Sequence, residues 1–239
     1  MIPVGYMYKK VVIKPDWLQA TNAIDVYSLS NCISHGFADY INYWQHNGYW
    51  LFDSPAIIEA LAAAENIDLS DTTLFYYEAY EYEYIEETDT WATFTPEPSW
   101  VTEVQIPVHK HLEGFDVTTF SGHNEPECSP LSCNALAADI PVNQHCLFNT
   151  FIEAKEAIER GFFKNSEPGP YRIFAVYTLT LAETQRVPAS LREVCNMDVG
   201  GSDMTLQPHS QHHQPEADND SPQQALPPMF PLLHNNNRK

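Results

Sequence analysis

Runs rich in aromatic and β-branched residues punctuate the chain and read as strands. They cover Tyr6 to Ile13, Asp25 to Leu29, Leu74 to Ile85, Trp91 to Phe94, Val101 to Val108, Phe115 to Phe120, a brief His145 to Phe148, and Tyr171 to Leu181. Leu74 to Ile85 alternates most regularly, which sets Tyr80, Tyr82 and Tyr84 on one face and Glu81 and Glu83 on the other. A turn over Glu86 to Thr90 would fold it back on Trp91 to Phe94 as a hairpin. Glu113-Gly114 is expected to turn the chain between the next two strands.

Helical spacing occupies the intervening stretches. Phe37, Tyr40, Ile41 and Trp44 fall on one face of a helix that Asn47-Gly48 would stop. Ser54-Pro55 pairs an N-cap with a proline at the first helical position, and predicts a helix to about Glu65 with Ile57, Ile58, Leu61 and Ala62 inward. Ser129-Pro130 repeats that signature and starts a short helix toward Ala138. Thr150 and Glu153 form a capping box for a helix that ends at Gly161, with Ile152, Ala154, Ala157 and Ile158 facing the core.

The strands group as hairpins and do not alternate strictly with helices. The expected class is therefore α+β: an antiparallel or mixed sheet carrying three to four helices, in one domain over residues 1–197. From Asp198 the composition turns to Gly, Pro, Gln, Asn and His, so residues 198–239 read as a disordered tail. With 44% hydrophobic and 13% aromatic residues among 239, the remainder can bury a sizeable core, which excludes a wholly disordered chain.

Charge changes the picture more than composition does. The formal net charge is −20, and from Pro15 to His109 sixteen acids stand without a single Lys or Arg. That balance disfavours direct binding to nucleic acid or to an anionic membrane. The acids interleave with aromatic side chains, the chemistry of a surface that steers and then anchors a basic protein. Tyr80, Glu81, Tyr82, Glu83, Tyr84, Glu86, Glu87 and Asp89 are the expected binding residues of a non-enzymatic inhibitor, immunity-type factor or nucleic-acid mimic.

Five cysteines, an odd number in a chain without a secretory leader pattern or a long apolar span, point to free thiols in a cytoplasmic protein. Cys128 lies just outside a helix N-cap, where the backbone dipole favours a thiolate, so Cys128 with His145 as its base is the alternative catalytic pair. His123, Cys128, Cys133 and Cys146 are the alternative metal ligands, although their spacing matches no two-knuckle zinc pattern. Phosphate-loop, dinucleotide, zinc-protease and nucleophile-elbow motifs are absent from the sequence, and no cofactor is expected.

Overall fold

The computed structural model describes residues 1–37, 45–95, 103–120, 126–164 and 166–179. Its strands are β1 (Ile2–Lys10), β2 (Val12–Ile13), β3 (Asp25–Val26), β4 (His35–Gly36), β5 (Thr73–Ile85), β6 (Thr90–Thr93), β7 (Lys110–Thr119) and β8 (Tyr171–Leu179). Its helices are α1 (Pro55–Glu65), the single turn α2 (Pro130–Cys133) and α3 (Phe151–Glu159), with a 3₁₀ turn at Leu136–Ala138. The main sheet runs β4-β1-β5-β8-β7, β6 pairs with the far end of β5, and every pairing in it is antiparallel. β2 and β3 form a separate two-stranded ribbon.

An antiparallel sheet with few helices is thus what the described residues contain, α+β-like or mostly β. Against the expected three to four helices packed on the sheet, only α1 and α3 exceed one turn among the described residues, and the helix read from Phe37 to Trp44 falls largely outside them. The tail from residue 198 also lies outside them. Among the described residues no helix is long and apolar enough to cross a membrane.

Burial on both faces explains why the long strands lack clean alternation. On β8, Phe174 and Val176 join one core cluster while Tyr171 and Ile173 join the other. Alternate residues of a strand point to opposite faces, so both faces are covered. α1 lies against β1, and α2 and α3 against β7.

Four local expectations need correction. Glu113-Gly114 does not turn the chain: Gly114 sits inside β7 at a register shift, with φ +151. A Cβ there would come within 2.6 Å of Phe148 O, so glycine lets the 143–148 loop close against a strand that would otherwise have to bend away. The described part of the Val101 to Val108 run is irregular, and His145 to Phe148 is a turn with one bridge, Phe115 to Phe148. Ile152, expected in the core, is exposed, because α3 buries Ala154, Ala157 and Ile158.

Candidate metal centre

Three cysteines far apart in sequence meet beside the sheet. Cys32 belongs to the loop between β3 and β4, whose return is pinned by the pairing of Lys9 with Gly36 and of Lys10 with His35. Cys128 is held at the end of β7 by a bridge to Thr119, whose N–H donates to Cys128 O at 2.8 Å. Cys133 ends α2, and its own N–H donates to Ser129 O at 2.9 Å. The three Sγ atoms lie within 4.8 Å of one another. Tetrahedral Zn–S bonds of about 2.3 Å imply sulfur separations of about 3.8 Å, so small rotations would bring these thiols to one ion.

Burial grades across the cluster. Cys128 is buried, Cys133 half-buried and Cys32 exposed, so the site opens on the Cys32 side. Cys128 Sγ donates to Asn134 Oδ1 at 3.0 Å, and Asn134 Nδ2 donates in turn to Glu167 Oε1 at 3.1 Å. Ser30 Oγ lies 3.4 Å from Cys133 Sγ, and Cys32 Sγ lies 3.1 Å from Glu127 O. Hydrogen bonds from the Cys128 and Cys133 thiols hold Cys32 well below the ordinary thiol range, while its partners push Cys128 up.

A buried lysine and a buried aspartate lie under the two cysteine loops, each bonded to them separately. Lys9 of β1 and Asp116 of β7 are each 1% exposed. Lys9 Nζ donates to the carbonyls of Ser28, Leu29 and Ser30 at 2.6, 2.6 and 2.8 Å, which satisfies all three ammonium donors. Asp116 Oδ2 accepts from Leu29 N–H at 2.8 Å and from Ser129 Oγ–H at 2.6 Å. Ser30 and Ser129 close the set reciprocally: Ser30 N–H donates to Ser129 Oγ at 3.3 Å, and Ser129 N–H to Ser30 Oγ at 3.1 Å. Burial pushes the Lys9 ammonium down to about 7 and the Asp116 carboxyl up to about 6.

The structure brings Cys128 and Cys133 together, but with Cys32 and not with Cys146. Cys146 is buried in the second core cluster, and burial pushes its thiol up to about 12. His123 lies outside the described residues. His145 serves another polar group: Nδ1 is 2.6 Å from Asp25 Oδ1, Nε2 is 3.3 Å from Glu113 Oε2, and the ring stacks on Tyr27 with centroids 4.0 Å apart. Nothing in the sequence pointed to Cys32 or Lys9. A lone cysteine 96 residues before Cys128 has no spacing to read, and Lys9 stands in an ordinary strand run.

The acidic, tyrosine-rich hairpin is divided between surface and scaffold. Glu83 pairs with the buried Arg172, Nη2 to Oε2 at 2.6 Å, and Arg172 is sandwiched between Phe94 and Phe120. Tyr84 is buried and donates to Asp89, while Glu86 Oε2 accepts from Tyr171 at 3.3 Å. Tyr80 packs against Trp91 and Phe151. Glu81, Tyr82, Glu87 and Asp89 remain exposed. A surface cleft beside Thr21, Asn22 and Ala137–Val142 carries Asp139 as its one charged lining residue. No protein-family model, curated protein or solved structure matches this chain.

Proposed function

We propose that this is a metal-thiolate protein, in which Cys32, Cys128 and Cys133 bind one zinc-type ion. The observation that carries this reading is the convergence of three thiols from three chain segments within 4.8 Å. A disulfide needs two sulfurs and leaves the third without purpose, whereas a soft cation uses all of them. Among the described residues no fourth Cys, His, Asp or Glu ligand joins the group, so the remaining position falls to another donor. The ion would tie the Cys32 loop to α2 and the end of β7, which makes metal binding part of folding.

The full chain, reduced and freed of metal, should bind one equivalent of Co²⁺. A thiolate-to-cobalt charge-transfer band should appear and be displaced by Zn²⁺. Cys32→Ser, Cys128→Ser and Cys133→Ser should each lose the band, while Cys146→Ser keeps it. Absence of Co²⁺ and Zn²⁺ binding by the folded wild-type chain rules the reading out.

The second reading is the acidic docking surface for a basic protein, supported by the exposure of Glu81 and Tyr82 at the open end of the β5–β6 hairpin and of Glu87 and Asp89 in its turn. Long-range attraction of this kind weakens over about 10 Å of Debye screening at 0.1 M salt. Charge reversal at Glu81, Glu87 and Asp89 should then weaken a captured basic partner at least tenfold by about the magnitude of close charge-pair couplings. The same reversal at the exposed Glu65 and Asp71 should not, and equal effects at both places would dismiss a local surface.

A further inference from the structure

We infer that Lys9, Asp116 and Ser129 are positioning residues of the thiolate centre, fixing its metal affinity by clamping the Cys32 loop against the segment that carries Cys128 and Cys133. This rests on the metal-thiolate reading above. Its own support is independent of the sulfurs' convergence: a buried, fully satisfied polar set whose bonds end on the backbone of both cysteine-bearing segments.

The geometry is specific. β1 and β7 are separated in the sheet by β5 and β8, so Lys9 and Asp116 approach the 28–30 loop from strands on different sides. Lys9 holds three successive carbonyls and Asp116 holds the N–H of the middle residue, Leu29, so both backbone polarities of one turn are engaged. That turn is two residues from Cys32 at its nearer end. Asp116 also fixes the hydroxyl of Ser129, which lies between Cys128 and α2. Ser129 is fully buried and bonded to Ser30, so the hydroxyl joins the two segments directly.

Burying charged groups, even well hydrogen-bonded ones, contributes little net stability against hydrophobic substitutes of similar volume. Their retention under a cluster of ligands is better explained by orientation, which is how groups behind metal ligands generally act. A lone structural role would make them matter to unfolding and not to the affinity of the folded protein.

The test uses the full reduced chain with Co²⁺ as the probe, competed with a chelator of known affinity, alongside urea unfolding of the metal-free protein. Ser129→Ala removes one hydroxyl and leaves all three thiols and both charges in place. Asp116→Asn keeps the shape and removes a charge. Both should lower the Co²⁺ affinity of the folded fraction by roughly 10- to 100-fold and alter the charge-transfer band. Lys9→Arg should restore affinity only in part compared with Lys9→Met, because a planar fork cannot repeat three carbonyl bonds. If Lys9→Met does not fold, Ser129→Ala decides the question. Wild-type affinity and an unchanged band in folded Ser129→Ala and Asp116→Asn overturn the inference and leave the metal site standing. A wild-type chain that binds no Co²⁺ removes the metal site itself.

Discussion

At the residue scale, single positions are decided by what surrounds them. Gly114 is the plainest case: its φ of +151 and the 2.6 Å approach of Phe148 O leave no room for a Cβ. Gly114→Ala should cost about 1–3 kcal/mol as stored backbone strain, read as a lowered urea midpoint. Arg172 makes the complementary point about charge. It is 2% exposed, and among the described residues its one carboxylate partner is Glu83. Glu83→Gln leaves a buried guanidinium uncompensated and should destabilise by about 3–5 kcal/mol, whereas an exposed neighbour such as Glu81→Gln should be nearly neutral. Equal urea midpoints for the two variants would show that Glu83 is a surface acid like the others.

Elements with complete local signatures were legible before any fold was known. α1 begins at Pro55 as the proline signature predicts, although the Ser54 hydroxyl makes no capping hydrogen bond, and it ends at Glu65 with Asn66 in the left-handed region. α3 carries the full capping box, with Glu153 N–H donating to Thr150 Oγ1 and Thr150 N–H donating to Glu153. Thr150→Ala should remove about 1 kcal/mol, and Glu153→Ala part of that, measurable by thermal melts of the two variants. The helix begun at Ser129-Pro130 was legible only at its start. Asn134 leaves the helical region and Ala135 adopts φ +57, breaking the run before the 3₁₀ turn. Nothing local compels an alanine to do so; Asn134 bonded to Cys128 and Glu167 holds the chain in that path.

For the whole molecule, burial of phenols makes stability depend on alkali. Burial raises Tyr27, Tyr84 and Tyr177 to about 12, and raises Tyr8, Tyr76 and Tyr171 further. Above about pH 10 an unfolded chain loses these phenolic protons while the folded chain keeps them. Unfolding is then favoured, so the stability present below pH 10 drains away as pH rises toward 12. Phenolate absorbance should appear together with loss of circular dichroism; reversible ionisation near pH 10 with the fold intact would refute the coupling. Zinc should act in the opposite sense. At a free concentration 100 times its Kd it should add about 2.7 kcal/mol to unfolding, removed by a chelator and absent in Cys32→Ser.

Caps, strand periods and the strong acidic bias are properties of neighbouring residues, and short-range sterics and hydrogen bonding suffice to specify them. On those grounds the sequence by itself determined α1, α3, the β5–β6 hairpin and β8. The meeting of Cys32 with Cys128 and Cys133, the placing of Lys9 and Asp116 beneath them, and the use of Glu83 and Glu86 as internal partners were decided by strand order alone. The cysteine, Glu83, Glu86 and Asp116–Leu29 contacts join residues 85 to 101 positions apart, and Lys9 reaches a loop 19 to 21 residues on. No local pattern encodes such a separation, because the free energy that selects it comes from burying both faces of the sheet at once.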